Sequence, residues 1–142
     1  MKEIYQQIDN IKNDLIDLSL QIHSNPEIKW QEFEAIKNIE TLLNKYDIKI
    51  NKVKDLPTAF TASIKGNSKG PVIALLAEYD ALPGIGHACG HNLIAMTNIG
   101  AFLGILALKG NFPGEIKLIG TPAEEGGGGK ISLLDKNIFD DI

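Results

Sequence analysis

Pro71–Asp80 reads PVIALLAEYD and Gly114–Glu125 reads GEIKLIGTPAEE, two apolar runs that each finish in carboxylates. A continuous apolar run bounded by turn residues is the pattern of a strand buried on both faces, so Pro71–Asp80 is expected as a central strand and the second run as its equal. Between them Leu93–Leu108 is apolar over sixteen residues and reads as a buried helix, with Gly100 and Gly104 allowing close packing on a sheet. Strand, helix and strand in that order make a βαβ unit, whose two strands run parallel.

Working outward, Ile4, Ile8, Ile11, Leu15, Leu18 and Ile22 recur at steps of three and four and predict an amphipathic helix from Lys2 to about Ser24, ending before Asn25-Pro26. Phe33, Ile36, Ile39, Leu42 and Leu43 predict a second helix from near Gln31 to the break at Asn44–Asp47. Ile48, Ile50 and Val53 alternate with lysines and an asparagine, which suits a half-exposed edge strand. Ala59–Lys65 is its expected partner before the turn at Gly66–Gly70. Lys130–Ile142 is long enough for one short helix. The fold expected is α/β: a mixed, largely parallel sheet covered by helices.

Composition narrows the function classes. The chain has 142 residues, 44% hydrophobic and 23% charged, which suits one soluble core. A net charge of -4 with both signs dispersed offers no footprint for nucleic acid or an anionic membrane. Leu93–Leu108 is shorter and more polar than a membrane span requires. All 14 basic residues are lysines, so the chain lacks the guanidinium fork that grips a carboxylate or phosphate in two places. A single cysteine, Cys89, and an N-terminus without a basic-then-apolar signal point to a cytoplasmic, reducing setting.

Ligands of open α/β sheets bind beyond the carboxyl ends of the strands, here the loops Tyr79–His91 and Thr121–Gly129. In the first, His87, Cys89 and His91 alternate with Ala88 and Gly90. In extended backbone that spacing presents two imidazoles and a thiolate to one point, and a helix starting near His91 would lower the thiol pKa through its dipole. Nitrogen and sulfur donors of this kind suit zinc, with manganese or cobalt as alternatives, as one or two ions. In the second loop Glu124 and Glu125 stand side by side before four glycines. Two adjacent carboxylates are readily understood beside a cation, one as ligand and the other free to take a proton from a metal-activated water. Asp80, at the strand end, is the candidate to orient a ligating histidine. Singly, each of these residues has an ordinary reading as a buried thiol, a loop histidine or a solvated turn, and His23 is given that reading. Their concentration in two neighbouring loops favours a site.

AEYDALPGIGHACGHNLIA and GTPAEEGGGGK together resemble the M20 family of metallopeptidases and amidohydrolases, in the branch whose metal motif contains a cysteine. The resemblance extends from about Pro71 to Ile142 and is compatible with the two N-terminal helices. It implies a zinc-peptidase-like catalytic domain with a two-metal site, interrupted by a smaller lid domain that often dimerises. Carried over by position, Cys89, His91 and Glu125 match metal ligands and Glu124 matches the general base, while Asp80 stands with Glu124 in the catalytic set. His87 has no assigned role, and Glu78 stands where many members place a ligating histidine.

The implied reaction is hydrolysis of a peptide or amide C–N bond in a dipeptide or N-acyl amino acid, by a metal-activated water with Glu124 as base. The resemblance covers about the first third of a typical member, so residues 1–142 are expected to be a partial catalytic domain, folded but inactive alone. Apolar surface around PVIALLAEY and EIKLIGT is then expected to be uncovered and prone to self-association. Two other readings stand beside this one: a hydrolase using Cys89 as nucleophile with His87 or His91 as base, and a non-catalytic remnant that keeps the fold. A phosphate-binding loop at the glycine run is excluded, because Lys130 is preceded six positions earlier by Glu124 and followed by Ile131.

Overall fold

The computed structural model describes all 142 residues. Helix α1 (Lys2–Ser24) buries the Ile11, Leu15, Leu18 and Ile22 stripe, and α2 (Phe33–Asn44) buries Ile36, Ile39, Leu42 and Leu43. Strands β1 (Asn51–Val53), β2 (Leu56–Lys65), β3 (Ser68–Ala77) and β4 (Pro113–Gly120) form one sheet in the order β1-β2-β4-β3. Helix α3 (His91–Gly104), prolonged by a 3₁₀ turn at Ile105–Leu108, crosses from β3 to β4. The last elements are a broken turn, α4 (Glu124–Gly127), and α5 (Gly129–Asp135).

The sheet is mixed, as expected, but it is not largely parallel. Only β3 and β4 pair in parallel, while β1–β2 and β2–β4 are antiparallel. The reason is the hairpin: β2 returns from β1 and docks on the side of β4 away from β3. A second correction follows, since β3 is an edge strand, whereas β4, like β2, is paired on both sides. A continuous apolar run reports that both faces are covered and says nothing about edges. In β3 Leu75 and Ala77 join the large core under the helices, Ala74 and Leu76 turn to the small cluster around Ile119 and Leu133, and Ile73 stays 51% exposed. The lysine-bearing β1 forms the other edge, as the alternation predicted.

His91–Leu108 reaches 18 residues at a mean hydropathy of 1.5, enough to cross a membrane by length and composition. Here Ala95, Ile99, Phe102 and Leu103 sit in the protein core. The glycines of α3 serve close packing, but against α1 rather than the sheet. A Cβ added at Gly100 would fall 2.9 Å from Leu15 Cδ1, and one at Gly104 would fall 3.1 Å from side-chain carbons of Ile4 and Ile8. The parallel register pairs Ala77 with Gly120. Both strands therefore end at the same level, and their following loops leave the sheet side by side.

Candidate metal centre

Asp80 leaves β3 three residues past its end and is buried at the centre of the site. His91 Nδ1 lies 3.0 Å from Asp80 Oδ1 and 2.9 Å from the Asp80 carbonyl oxygen. Both partners accept and neither donates, so Nδ1 carries a proton, and in the neutral imidazole Nε2 keeps its lone pair. Asp80 Oδ2 accepts the backbone N–H of Glu125 at 2.8 Å. One buried carboxylate thus fixes the tautomer of His91 and the backbone of the second loop. This geometry makes Asp80 an orienting group, with neither oxygen turned to open solvent.

His91 Nε2 faces three carboxylates: Glu78 Oε2 at 3.5 Å, Glu124 Oε2 at 3.8 Å and Glu125 Oε1 at 3.9 Å. The ammonium of Lys130 pairs with the other oxygen of Glu78. Glu124 is 41% exposed, Glu125 23% and Glu78 15%, so the cluster opens outward from a buried imidazole. One donor atom each from His91, Glu124 and Glu125 lie within 4.8 Å of one another. A nitrogen lone pair and carboxylate oxygens converging in this way fit a divalent cation of zinc's type. A cavity of about 440 Å³, lined by Thr61, Ser63, Lys117 and Asp141 among others, touches none of these residues. The imidazole and carboxylate cluster sits at the strand ends instead, partly open to solvent.

The HACGH segment departs from the extended geometry expected of it. The N–H of Gly90 bonds the carbonyl of His87 at 3.1 Å, and Gly90 adopts φ 76 immediately before α3. A turn sends its residues in different directions, so His87, Cys89 and His91 do not meet at one point. His87 is buried against His23, with ring centroids 6.3 Å apart, and neither of its ring nitrogens has a hydrogen-bond partner. Burial pushes its pKa down, with the Ile22 backbone acting in the other direction.

Cys89 is exposed and neighbours Glu125. A hydrogen bond to the Glu125 carboxylate raises its pKa, with slight burial and the negative charges of Glu125, Glu124 and Asp80 adding. The direction is opposite to the one expected from the helix dipole, because carboxylates at close range outweigh the partial charge of a helix end.

The second loop is anchored from below. Ala123 adopts the left-handed conformation at φ 57, its N–H donates to Glu32 Oε1 at 2.9 Å, and its carbonyl accepts from Gly127 at 3.1 Å and Gly129 at 3.3 Å. Three residues here were not singled out as site members in the sequence. Glu78 had a usable signal, since two positions before Asp80 on a strand places it on the same side. Lys130 closes the GTPAEEGGGGK motif, but nothing in the sequence paired it with Glu78, and Glu32 had no signal because the fold brings it in from afar.

A mixed sheet carrying an imidazole and several carboxylates at the carboxyl ends of a parallel strand pair defines an α/β domain with an acidic, metal-type cleft. The chain matches Peptidase family M20/M25/M40 over residues 74–141. It belongs to that family. It is 37% identical over 150 aligned positions to Xaa-Arg dipeptidase of Mus musculus, covering 96% of this chain and 35% of that protein. It is 32% identical over 142 positions to N-acetylcysteine deacetylase of Bacillus subtilis, covering 90% of this chain and 37% of that one. Among solved structures, a Bacillus subtilis protein described as a dinuclear metal binding peptidase from the M20 family superposes with a TM-score of 0.86 at 32% identity, over 94% of this chain and 41% of that one. The chain spans about a third of the length of the curated relatives it matches.

Proposed function

We propose that this chain supplies the N-terminal part of the catalytic domain of a metal-dependent hydrolase that cleaves a peptide or amide C–N bond in a dipeptide or N-acyl amino acid. The observation that carries the reading is His91, whose Nε2 is left free by the Asp80 bond and faces Glu124 and Glu125. The dipeptidase and deacetylase relatives and the dinuclear M20 structure support the same chemistry. His91 and Glu125, whose donor atoms converge, would hold the ion together with Cys89, which neighbours Glu125, and zinc is the expected identity. When bound, a divalent cation supplies Lewis acidity toward the scissile carbonyl and acidifies water.

The remaining work belongs to side chains. Glu124, the more exposed of the pair, takes a proton from the attacking water and returns it to the departing amine. Glu125 is held for ligation by its backbone bond to Asp80. Lys130 offsets the charge of Glu78, which would otherwise add to a crowd of carboxylates. With no arginine in the chain, a two-point grip on a substrate carboxylate has to come from other residues of the whole protein. The dipeptidase and deacetylase relatives favour a small peptide-like substrate, and the acidic chain and single cysteine favour a cytoplasmic setting with neither nucleic acid nor membrane as partner. The β3 edge, with Ile73 half exposed, supports self-association.

A Cys89 nucleophile fits the geometry less well. A nucleophilic cysteine needs a stabilised thiolate, whereas Glu125 pushes this thiol up, and the His87 ring lies against His23. The test of the metal reading is a zinc titration of the chelator-treated chain. Zinc binding that Glu125→Gln weakens and Glu124→Gln leaves nearly intact is the expected result. Equal binding by all three proteins would refute the assignment of roles.

A further inference from the structure

The Glu124–Glu125 pair is suspended between two buried carboxyl groups. Asp80 Oδ2 takes the N–H of Glu125, and on the other side Glu32 Oε1 takes the N–H of Ala123, both at short distance (2.8 and 2.9 Å). Glu32 is fully buried at the start of α2, 91 residues away in sequence from Ala123, and the same Oε1 also accepts the N–H of Trp30 at 2.9 Å. A buried carboxyl on a helix cap is costly unless its bonds do something specific. Here they hold a non-glycine residue in the left-handed region, where L side chains rarely sit and which persists only when the surroundings over-determine it. The left-handed turn at Ala123 is what swings Glu124 and Glu125 out of the line of β4 and toward His91 Nε2.

We propose that Glu32 is a positioning residue for the carboxylate pair, acting through the Ala123 N–H. This rests on the metal-hydrolase reading for its consequence, though not for its geometry. What positions the loop is the reach of Oε1. Glu32→Gln keeps an oxygen at the same reach and places its amide beside the Thr58 hydroxyl, which can accept as well as donate. Glu32→Asp keeps the carboxyl and withdraws it by one methylene.

The experiment measures zinc affinity by calorimetry and amide hydrogen exchange for the wild-type chain and these two variants. Glu32→Gln should bind zinc within about threefold of wild type and keep the Ala123 and Glu125 amides protected. Glu32→Asp should bind roughly 10- to 100-fold more weakly, the range for lost support behind a ligand. It should exchange faster at Ala123 and Glu125 while the amides of β3 and α3 stay unchanged. The reverse order, with Asp intact and Gln impaired, would show that charge matters and positioning does not, and would overturn the proposal. So would unchanged affinity and exchange in both variants, or a loss of protection in Glu32→Asp spread evenly over the core, which would mark a purely structural role. If the wild-type chain binds no zinc, the metal reading fails, and the exchange at Ala123 and Glu125 still decides the positioning role.

Discussion

Replacing Asp80 by asparagine removes one oxygen acceptor from a group that uses both. Asp80 Oδ1 receives the proton of His91 Nδ1 and Oδ2 receives the N–H of Glu125. An asparagine has one acceptor and one donor end. If its oxygen faces His91, its NH₂ confronts the Glu125 N–H, and that backbone anchor is lost. If its NH₂ faces His91, Nδ1 must accept, and the proton moves to Nε2, the atom that faces Glu78, Glu124 and Glu125.

Either outcome disables one arm of the site. A hydrogen bond to a charged group is worth about 1.5–3 kcal/mol net, and an opposed pair of buried donors adds to the loss, so Asp80→Asn should destabilise the fold by roughly 2–4 kcal/mol. Zinc affinity should fall by roughly 10- to 100-fold. Urea denaturation reads the first figure, calorimetry the second, and ¹⁵N chemical shifts of the imidazole report which nitrogen carries the proton. Asp80→Asn with wild-type stability, wild-type zinc affinity and an unprotonated Nε2 would refute the role given to Asp80.

In any form of the protein that turns over substrate, Glu124→Gln should lower the rate by several orders of magnitude with metal content retained, because an amide cannot accept the proton; steady-state kinetics with metal analysis checks it. Lys130→Met removes the cation paired with Glu78 and should tighten zinc binding several-fold in a calorimetric titration. Ile73→Lys on the exposed β3 edge should reduce self-association in sedimentation equilibrium without altering the melting temperature appreciably.

For pH, burial raises the Glu32 carboxyl above its ordinary value of 4.5, outweighing the N–H bonds it accepts. A raised carboxyl stabilises the fold while protonated, so its contribution is full below about pH 4.5 and is lost as pH climbs through the higher folded value. Glu32→Gln, neutral throughout, should therefore gain stability relative to wild type as pH rises through that window, measured by denaturation at a series of pH values.

The helices were legible because periodicity is a local record of burial: Ile11 to Ile22 and Ile36 to Leu43 are buried at the spacing the sequence shows. The parallel pairing of β3 and β4 was legible for the same kind of reason, through the length of the crossover. The edge position of β3 was not, since Val72 to Leu76 would read alike with or without a further neighbour. The gathering of Asp80, His91, Glu124 and Glu125 into one cluster was legible from residue type in the two strand-end loops. The shape of the HACGH loop was not, because Gly86 and Gly90 allow either extended or left-handed backbone, and the fold chose positive φ at both. Glu32 was the least legible. An acid beside a helix start reads as a solvated cap until the tertiary fold encloses it against Ala123.

X-ray absorption at the zinc K-edge on the zinc-loaded chain tests the central claim most directly. The predicted spectrum contains imidazole scattering from His91, a sulfur from Cys89 at about 2.3 Å and nitrogen or oxygen donors at about 2.0–2.1 Å. The sulfur shell should disappear in Cys89→Ser and the imidazole signature in His91→Asn. A zinc ion surrounded by oxygen alone, or a spectrum that neither variant alters, would contradict a centre built from Cys89, His91 and Glu125.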